Sequence, residues 1–194
     1  MELWVIRHAS TSWNEEGRYQ GRTDLPLSKK GAAEARAWNF HHGRAFDHVF
    51  SSSLKRAAET AEALGLDSHI QKTDLLMEMN LGEWEGLTKE EARARLAPSE
   101  IAQDWLGLHH RAPGGESMAE VMERLQTWLQ EVPPHEGNSL VVSHKGTIQA
   151  LYALATGWDA LSKPKPRPRF PHLHRFSWDG TLKVLALNEP LVRP

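Results

Sequence analysis

The sequence predicts an α/β fold, a three-layer α/β/α sandwich around a mostly parallel central sheet with one antiparallel strand. Three observations predict it. Short apolar runs rich in β-branched residues alternate with helical stretches, the pattern of a sheet covered by helices. Two of these runs, Leu3 to Ile6 and Ser139 to Val142, lack the internal polar alternation of a half-exposed strand, so both of their faces should be buried. Asp179-Gly180 lies between two strand-like segments near the end of the chain, a hairpin signal that reverses one strand.

Each element follows from local chemistry. After the first strand a polar, Gly-containing loop runs from Ala9 to Leu27, and Ser28 is placed to cap a helix from Lys29 to about His41. His48-Val49-Phe50 reads as a strand, and Ser51-Ser52-Ser53 supplies caps for an Ala-rich helix from Leu54 to Leu64. A weak strand is expected over His69 to Thr73, a loop over 74–86, and helical pieces over 88–96 and 99–107. Pro113-Gly114-Gly115 is a break before a helix from Glu116 to Gln130, with Val121, Leu125, Trp128 and Leu129 on one face. The strand ending at Val142 leads through Ser143-His144-Lys145-Gly146 into a helix from Thr147 to about Ala155. Strands are expected at 172–178 and 181–187, and the basic, Pro-rich stretch Lys163 to Arg169 should be an extended loop.

Composition bounds the function. The chain has 194 residues with no linker-like break, so one domain spanning 1–194 is expected. A net charge of -2 argues against a nucleic-acid coat protein. The absence of cysteine excludes a disulfide framework, a Cys-based zinc site and a thiol nucleophile. The start of the chain is too short an apolar run for a signal peptide, and no stretch approaches a membrane helix. The expectation is a cytoplasmic protein.

Ligands of such sheets bind outside the carboxyl ends of the strands. Three strand-to-helix junctions carry cationic or histidine side chains there: Arg7-His8, Ser52-Ser53-Leu54-Lys55-Arg56 and Ser143-His144-Lys145. If they converge, two arginines and two histidines share one pocket. Two helix N-termini would favour an anion in it, and forked guanidinium donors suit phosphate oxygens.

These residues also resemble a known family. Arg7-His8-Ala9-Ser10-Thr11-Ser12-Trp13-Asn14 is similar to the signature of the histidine phosphatase superfamily, the phosphoglycerate-mutase-like family. Further blocks follow in order over almost the whole chain. They are Arg18-Tyr19-Gln20-Gly21, Asp24 to Ser28 with Gly31, Ser51 to Ala61, Leu76-Met77-Glu78 with Gly82 to Gly86, Pro113 to Ser117, Val142-Ser143-His144 and Ala186-Leu187-Asn188.

The resemblance implies roles. His8 would take the phosphoryl group as phosphohistidine. Arg7, Arg56 and His144 would hold the phosphoryl oxygens and stabilise their charge, with Asn14 adding a neutral hydrogen bond. Gln20, Gly21 and Lys145 complete the expected phosphate-binding set. Glu78 would protonate the leaving alcohol and then deprotonate the attacking water, with Glu83 and Glu85 as ordinary neighbours. No metal and no cofactor are expected. The expected partner is a small phosphorylated metabolite, with no nucleic acid and no membrane, and a homodimer is left open.

Three positions depart from the family pattern. Ala9 stands where glycine is usual and requires φ below zero. Ser10 replaces a common acidic residue, which should leave the pocket more positive. Lys145 follows His144 where glycine is frequent; it either adds a cation near the substrate, narrows the pocket or points to solvent. The short 87–112 stretch lacks the basic insertion of known mutases, which favours a phosphatase for small phosphomonoesters. The alternatives are mutase-type phosphoryl transfer, a ribazole phosphatase of cobalamin synthesis, and a non-catalytic phospholigand-binding module. Trp105, His109, His110 and Arg111 are candidates to cap the pocket, with helical packing favoured for Trp105. Trp13 reads as structural. The 163–169 segment reads as a solvated spacer, with a basic lip as the other reading, and His172 and His174 are not expected to bind metal.

Overall fold

The computed structural model describes residues 1–40, 45–66, 70–96, 106–132 and 137–191. Six strands form one sheet: β1 (Glu2–Arg7), β2 (His48–Ser52), β3 (Ile70–Thr73), β4 (Asn138–Ser143), β5 (Leu173–Trp178) and β6 (Leu182–Glu189). Their spatial order is β3-β2-β4-β1-β5-β6. β2 is parallel to β3 and β4, and β4 is parallel to β1. The one reversed strand is β5, antiparallel to β1 on one side and to β6 on the other. The turn between β5 and β6 carries Gly180 at φ +94°, the left-handed geometry that made Asp179-Gly180 legible as a hairpin.

Among the described residues the helices are α1 (Ser12–Glu15), α2 (Lys29–Ala37), α3 (Lys55–Ala63), α4 (Lys89–Arg93), α5 (Met118–Glu131) and α6 (Lys145–Thr156). Alternate residues of β1 enter two separate clusters. Leu3 and Val5 pack with Val121, Leu125, Trp128 and Leu129 of α5 and with Ile148 and Leu151 of α6. Trp4 and Ile6 pack with Ala35 of α2 and with Ala57 and Ala61 of α3. Because successive strand side chains point to opposite faces, the central sheet is covered on both sides, and the apolar runs lack alternation for that reason.

Several boundaries differ from the sequence reading. α2 ends at Ala37 rather than near His41, because Trp38 adopts an extended backbone and both Trp38 and Phe40 turn into the core. α1 lies inside the stretch read as loop; Thr11 caps it, and the Asn14 side chain returns to the Thr11 N–H. α5 starts at Met118 because Ser117 and Glu120 form a capping box. α6 starts at Lys145, two residues before the expected Thr147, because His144 itself is the extended N-cap residue. Within 74–86 the chain makes two 3-10 turns, Asp74–Leu76 and Gly82–Trp84. Most of the expected 99–107 helix, Trp105 included, lies outside the described residues, as do His41 and His69.

The backbone of the Pro-rich stretch is tied down, while the side chains of Lys163, Lys165, Arg167 and Arg169 stay exposed to solvent. Tyr152 Oη donates to the Lys165 carbonyl at 3.0 Å. Asn188 Nδ2 donates to the Arg167 carbonyl at 3.1 Å, and Asn188 Oδ1 accepts the Arg169 N–H at 2.6 Å. His174 is fully buried; its Nε2 donates to the Arg169 carbonyl at 3.2 Å and its Nδ1 accepts the Asn188 N–H at 3.4 Å. That arrangement needs the neutral ring, and burial lowers its pKa to about 4.

The sign of the pH effect follows. The unfolded chain binds this proton near pH 6.5 and the folded chain only near pH 4, so stability is complete above about pH 6.5 and falls as pH drops toward 4. The loss from His174 reaches about 3 kcal/mol. Urea denaturation at stepped pH should show this decline. His174→Gln should flatten it in part, since burial also holds His8 and His144 well below the usual histidine range. A variant slope equal to that of the wild type would exclude His174 as a contributor.

Candidate active site

Strand order supplies the convergence that the sequence left conditional. β2, β4 and β1 are adjacent and parallel, so their carboxyl ends open on one edge of the sheet. Arg7 pairs in register with Ser143, and the His8 N–H continues the ladder to the Ser143 carbonyl at 2.9 Å. The His8 and His144 rings therefore sit side by side, with centroids 5.1 Å apart. The first turn of α3 places Arg56 behind them, where its charge acts on both rings.

His8 is buried and held in one tautomer. Its Nδ1 lies 2.7 Å from the Ala9 carbonyl, which can only accept, so Nδ1 carries the proton and Nε2 keeps its lone pair. Burial, then the charges of Arg7 and Arg56, lower its pKa well below the ordinary value. The ring is neutral at neutral pH, as a nucleophile requires. The backbone around it is fixed from α3: the Ala9 N–H donates to Thr60 Oγ1 at 3.0 Å, and that hydroxyl donates to the Arg56 carbonyl at 2.6 Å. Ala9 is not among the residues with positive φ, so a methyl group is tolerated there.

The cationic groups face inward with bonding capacity left over. Among the described residues, Arg7 Nε, Arg56 Nε, both ring nitrogens of His144 and Gln20 Oε1 are buried without a hydrogen-bond partner. Buried polar groups are ordinarily paired, so this cluster of nitrogens marks a place built for an acceptor-rich ligand. The other end of the Arg56 guanidinium is anchored, Nη1 to the Thr23 carbonyl at 2.9 Å and Nη2 to the Gly21 carbonyl at 2.7 Å. Burial lowers the pKa of His144 well below the usual range, followed by the charge of Arg56, by the cost of charging a second ring beside His8, and by Arg7.

Glu78 enters from the loop after β3, where its charge opposes the effect of burial on both Arg7 and Arg56. Its two oxygens accept the N–H groups of Met79 at 2.9 Å and Gly146 at 3.1 Å. The preceding carbonyls are gripped by distant elements. Arg124 of α5 donates to Leu75 and Met77, Ser143 Oγ to Leu76, and Thr147 Oγ1 to Met77. Glu116 completes the frame, pairing with Arg124 at 3.0 Å and with Arg22 at 3.3 Å, and accepting the Asn80 N–H.

The remaining expected site residues take more specific places. Asn14 lines the His8 pocket with Arg7, while its Oδ1 serves the α1 cap. Gln20 is buried and donates through Nε2 to Thr11 Oγ1. Gly21 acts through its carbonyl on Arg56; its φ of +51° and the Glu85 carboxylate 2.0 Å from where a Cβ would stand both exclude a side chain. Lys145 lines a neighbouring basic cleft together with Arg7. His110 packs on Trp84, and Arg111 pairs with Glu120. Trp13 packs over Gly86.

Two readings need correction. Ser10 does not simply make the pocket more positive, because its hydroxyl donates at 2.9 Å to Glu34, whose side chain lines the same pocket as His8. Nor is Glu85 an ordinary neighbour: it accepts the N–H groups of Arg22, Thr23 and Leu81 and the Thr23 hydroxyl. It therefore shapes the turn whose carbonyls anchor Arg56. No spacing rule marks a carboxylate that binds backbone more than sixty residues away.

A family model for the histidine phosphatase superfamily (branch 1) matches residues 3–187. The chain is 36% identical over 172 residues to phosphoserine phosphatase 1 of Hydrogenobacter thermophilus, covering 84% of this chain and 79% of that protein. It is 35% identical over 159 residues to a 2,3-bisphosphoglycerate-dependent phosphoglycerate mutase of Gloeobacter violaceus, covering 77% and 73%. The solved structure of a mycobacterial glucosyl-3-phosphoglycerate phosphatase superposes with a TM-score of 0.83 at 26% identity, covering 97% of this chain and 99% of that one. The ordered blocks, the sheet that gathers them and these matches agree: the chain belongs to the histidine phosphatase superfamily, whose members are phosphatases and mutases.

Proposed function

We propose that the protein is a phosphomonoester hydrolase that works without a metal through a phosphohistidine on His8. The observation that carries this reading is the neutral, tautomer-locked His8 beside His144, with buried, unpartnered nitrogens on Arg7, Arg56 and His144. A substrate phosphoryl group seated there faces Nε2 of His8. Attack forms the N–P bond and breaks the P–O bond to the alcohol, and Glu78 gives its proton to the departing oxygen. Arg7 and Arg56 stabilise the charge on the oxygens in flight, and His144 donates from whichever nitrogen faces them. In the second half, Glu78 takes a proton from water, which attacks phosphorus and breaks the N–P bond. Inorganic phosphate leaves and His8 is restored.

The test is phosphate release in chelator from a panel comprising an aryl phosphate, 3-phosphoglycerate, a sugar phosphate, a nucleotide and ribazole phosphate. Metal-free turnover supports the reading. Isomerisation of phosphoglycerate without phosphate release would replace it with a mutase, and phosphate binding without turnover on any substrate would replace it with a binding module.

Gly146 gives a second test. A Cβ at this position would stand 2.5 Å from Glu78 Oε1, the far end of a flexible side chain, and the first turn of α6 accepts alanine. Gly146→Ala should therefore keep the fold, with at most a modest drop in melting temperature from the lost Gly146 N–H bond, while displacing the carboxylate. Turnover of an alkyl phosphate should fall by up to about 10²-fold, the usual cost of a misplacement near 1 Å. Undiminished turnover would remove Glu78 from the proton-transfer role.

A further inference from the structure

Glu78 stands on a stretch with no helix or strand of its own, yet a group that transfers a proton must be held to a fraction of an ångström. The three carbonyls just before it each take a hydrogen bond from a side chain of a distant element. Arg124 of α5 donates from Nη1 to Leu75 at 2.6 Å and from Nη2 to Met77 at 2.7 Å. Ser143 Oγ, at the end of β4, donates to Leu76 at 2.8 Å. Thr147 Oγ1, in the first turn of α6, donates to Met77 at 2.8 Å. The Met77 carbonyl thus has two side-chain donors, one from each of two helices.

Thr147 uses its hydroxyl differently from its counterparts. Among the described residues four threonines lie in helices. Thr60, Thr127 and Thr156 donate to the carbonyl four residues back in their own helix, the ordinary habit of a helical threonine. Thr147 is fully buried and reaches out to another segment instead. Its surroundings give that bond its meaning. His144 is the N-cap of the same helix, and the Gly146 N–H donates to Glu78 Oε2 at 3.1 Å. One helical turn therefore carries the His144 ring, a donor to the Glu78 carboxylate and a donor to the peptide that precedes Glu78. That peptide is planar, so gripping its carbonyl from two sides sets where the Glu78 Cα stands.

We propose that Thr147 and Arg124 are positioning residues for the proton transfer: through the Met77 carbonyl they hold Glu78 in place relative to His144, and they act on the reaction only through Glu78. The proposal rests on the reading of Glu78 as the general acid and deepens it. Thr147→Val removes the hydroxyl, keeps the branched shape and leaves the Met77 carbonyl its Arg124 donor. Arg124→Lys keeps the positive charge that bears on His144, but one ammonium cannot reproduce the fork that serves Leu75 and Met77 together.

The experiment measures kcat/KM in chelator for glycerol 3-phosphate, an alkyl ester, and p-nitrophenyl phosphate, an aryl ester. In each variant the alkyl value should fall about tenfold, the scale of one hydrogen bond. The aryl value should fall by less than about twofold, because that leaving group needs no proton. Thr147→Ser should restore most of the alkyl rate. Adding Thr147→Val to Glu78→Gln should cause no further loss on either ester. A loss that is equal on both esters, or that adds in full to that of Glu78→Gln, overturns the proposal. Hydrogen exchange at the Gly146 amide gives a readout independent of turnover, since its partner is the Glu78 carboxylate. Its protection factor should drop about tenfold in both variants, while that of Ile148, bonded to the His144 carbonyl in the same helix, holds. Unchanged protection at Gly146 overturns the proposal even in an active phosphatase. If wild type releases phosphate from neither ester, the phosphatase reading falls, and the exchange result alone upholds or overturns the positioning of Glu78. Should one variant not fold, the other decides by the same criteria.

Discussion

His8→Ala is expected to abolish phosphate release from an aryl phosphate in chelator, by about 10⁴-fold or more, with the far-UV spectrum and melting temperature close to those of wild type. The ring's one hydrogen bond runs to the carbonyl of the next residue, so its loss opens no long-range network. The neighbouring backbone keeps its ties to Ser143 and Thr60. Acid-labile, alkali-stable label from a ³²P-substrate should be trapped on the wild type and be absent from the variant, as a phosphorus–nitrogen bond to histidine requires. Near-normal turnover in the variant would refute the nucleophile assignment. Loss of turnover together with unfolding would leave the trapping experiment on wild type as the deciding result.

Glu78→Gln is expected to split by leaving group. For an alkyl phosphate, kcat/KM should fall by about 10²- to 10⁴-fold, the range of general acid catalysis, and for an aryl phosphate by much less, because a phenolate leaves without a proton. The ratio kcat/KM is the informative quantity because it reports the first half-reaction. Turnover number on the aryl substrate should still drop, since the water that cleaves phosphohistidine loses its base, and phosphoenzyme should accumulate. Equal losses of kcat/KM on both substrates would assign Glu78 a positioning role. The amide can still accept the Gly146 N–H through its remaining carbonyl oxygen but not every bond that two carboxylate oxygens make, so a modest stability loss is compatible with either result.

Much of this was legible in the sequence for identifiable reasons. β1 and β4 were visible because burial on both faces leaves no alternation, and α5 because its apolar residues recur on one helical face. The residues at the three strand ends were visible because that edge is where open α/β sheets bind ligands. Boundaries were less so: α6 begins at Lys145 because a residue expected to serve chemistry, His144, also serves as its cap. The supporting frame was not visible at all. Arg124 reaches back to the carbonyls of Leu75 and Met77, Glu85 to the 22–23 turn, and Glu34 to Ser10. Each joins side chain to distant backbone or loop, and no periodicity records such a contact.

The sequence by itself determined the fold class and the order of the elements, because hydrophobic periodicity and capping are local properties of the chain; it set Arg7, His8, Arg56 and His144 at strand ends, whereas Glu78 was singled out only by the resemblance to the family's blocks. Only the tertiary structure decided that β4 lies between β1 and β2, so that three separate junctions open on one edge of the sheet. It also decided that His8 is a neutral donor to Ala9, and that a Pro-rich stretch is lashed by Asn188 and His174 into the wall of a cationic cleft. The physical reason is common to all three: strand order, burial and side-chain-to-backbone hydrogen bonds depend on which distant segments meet, and that is settled only when the sheet closes over its two cores.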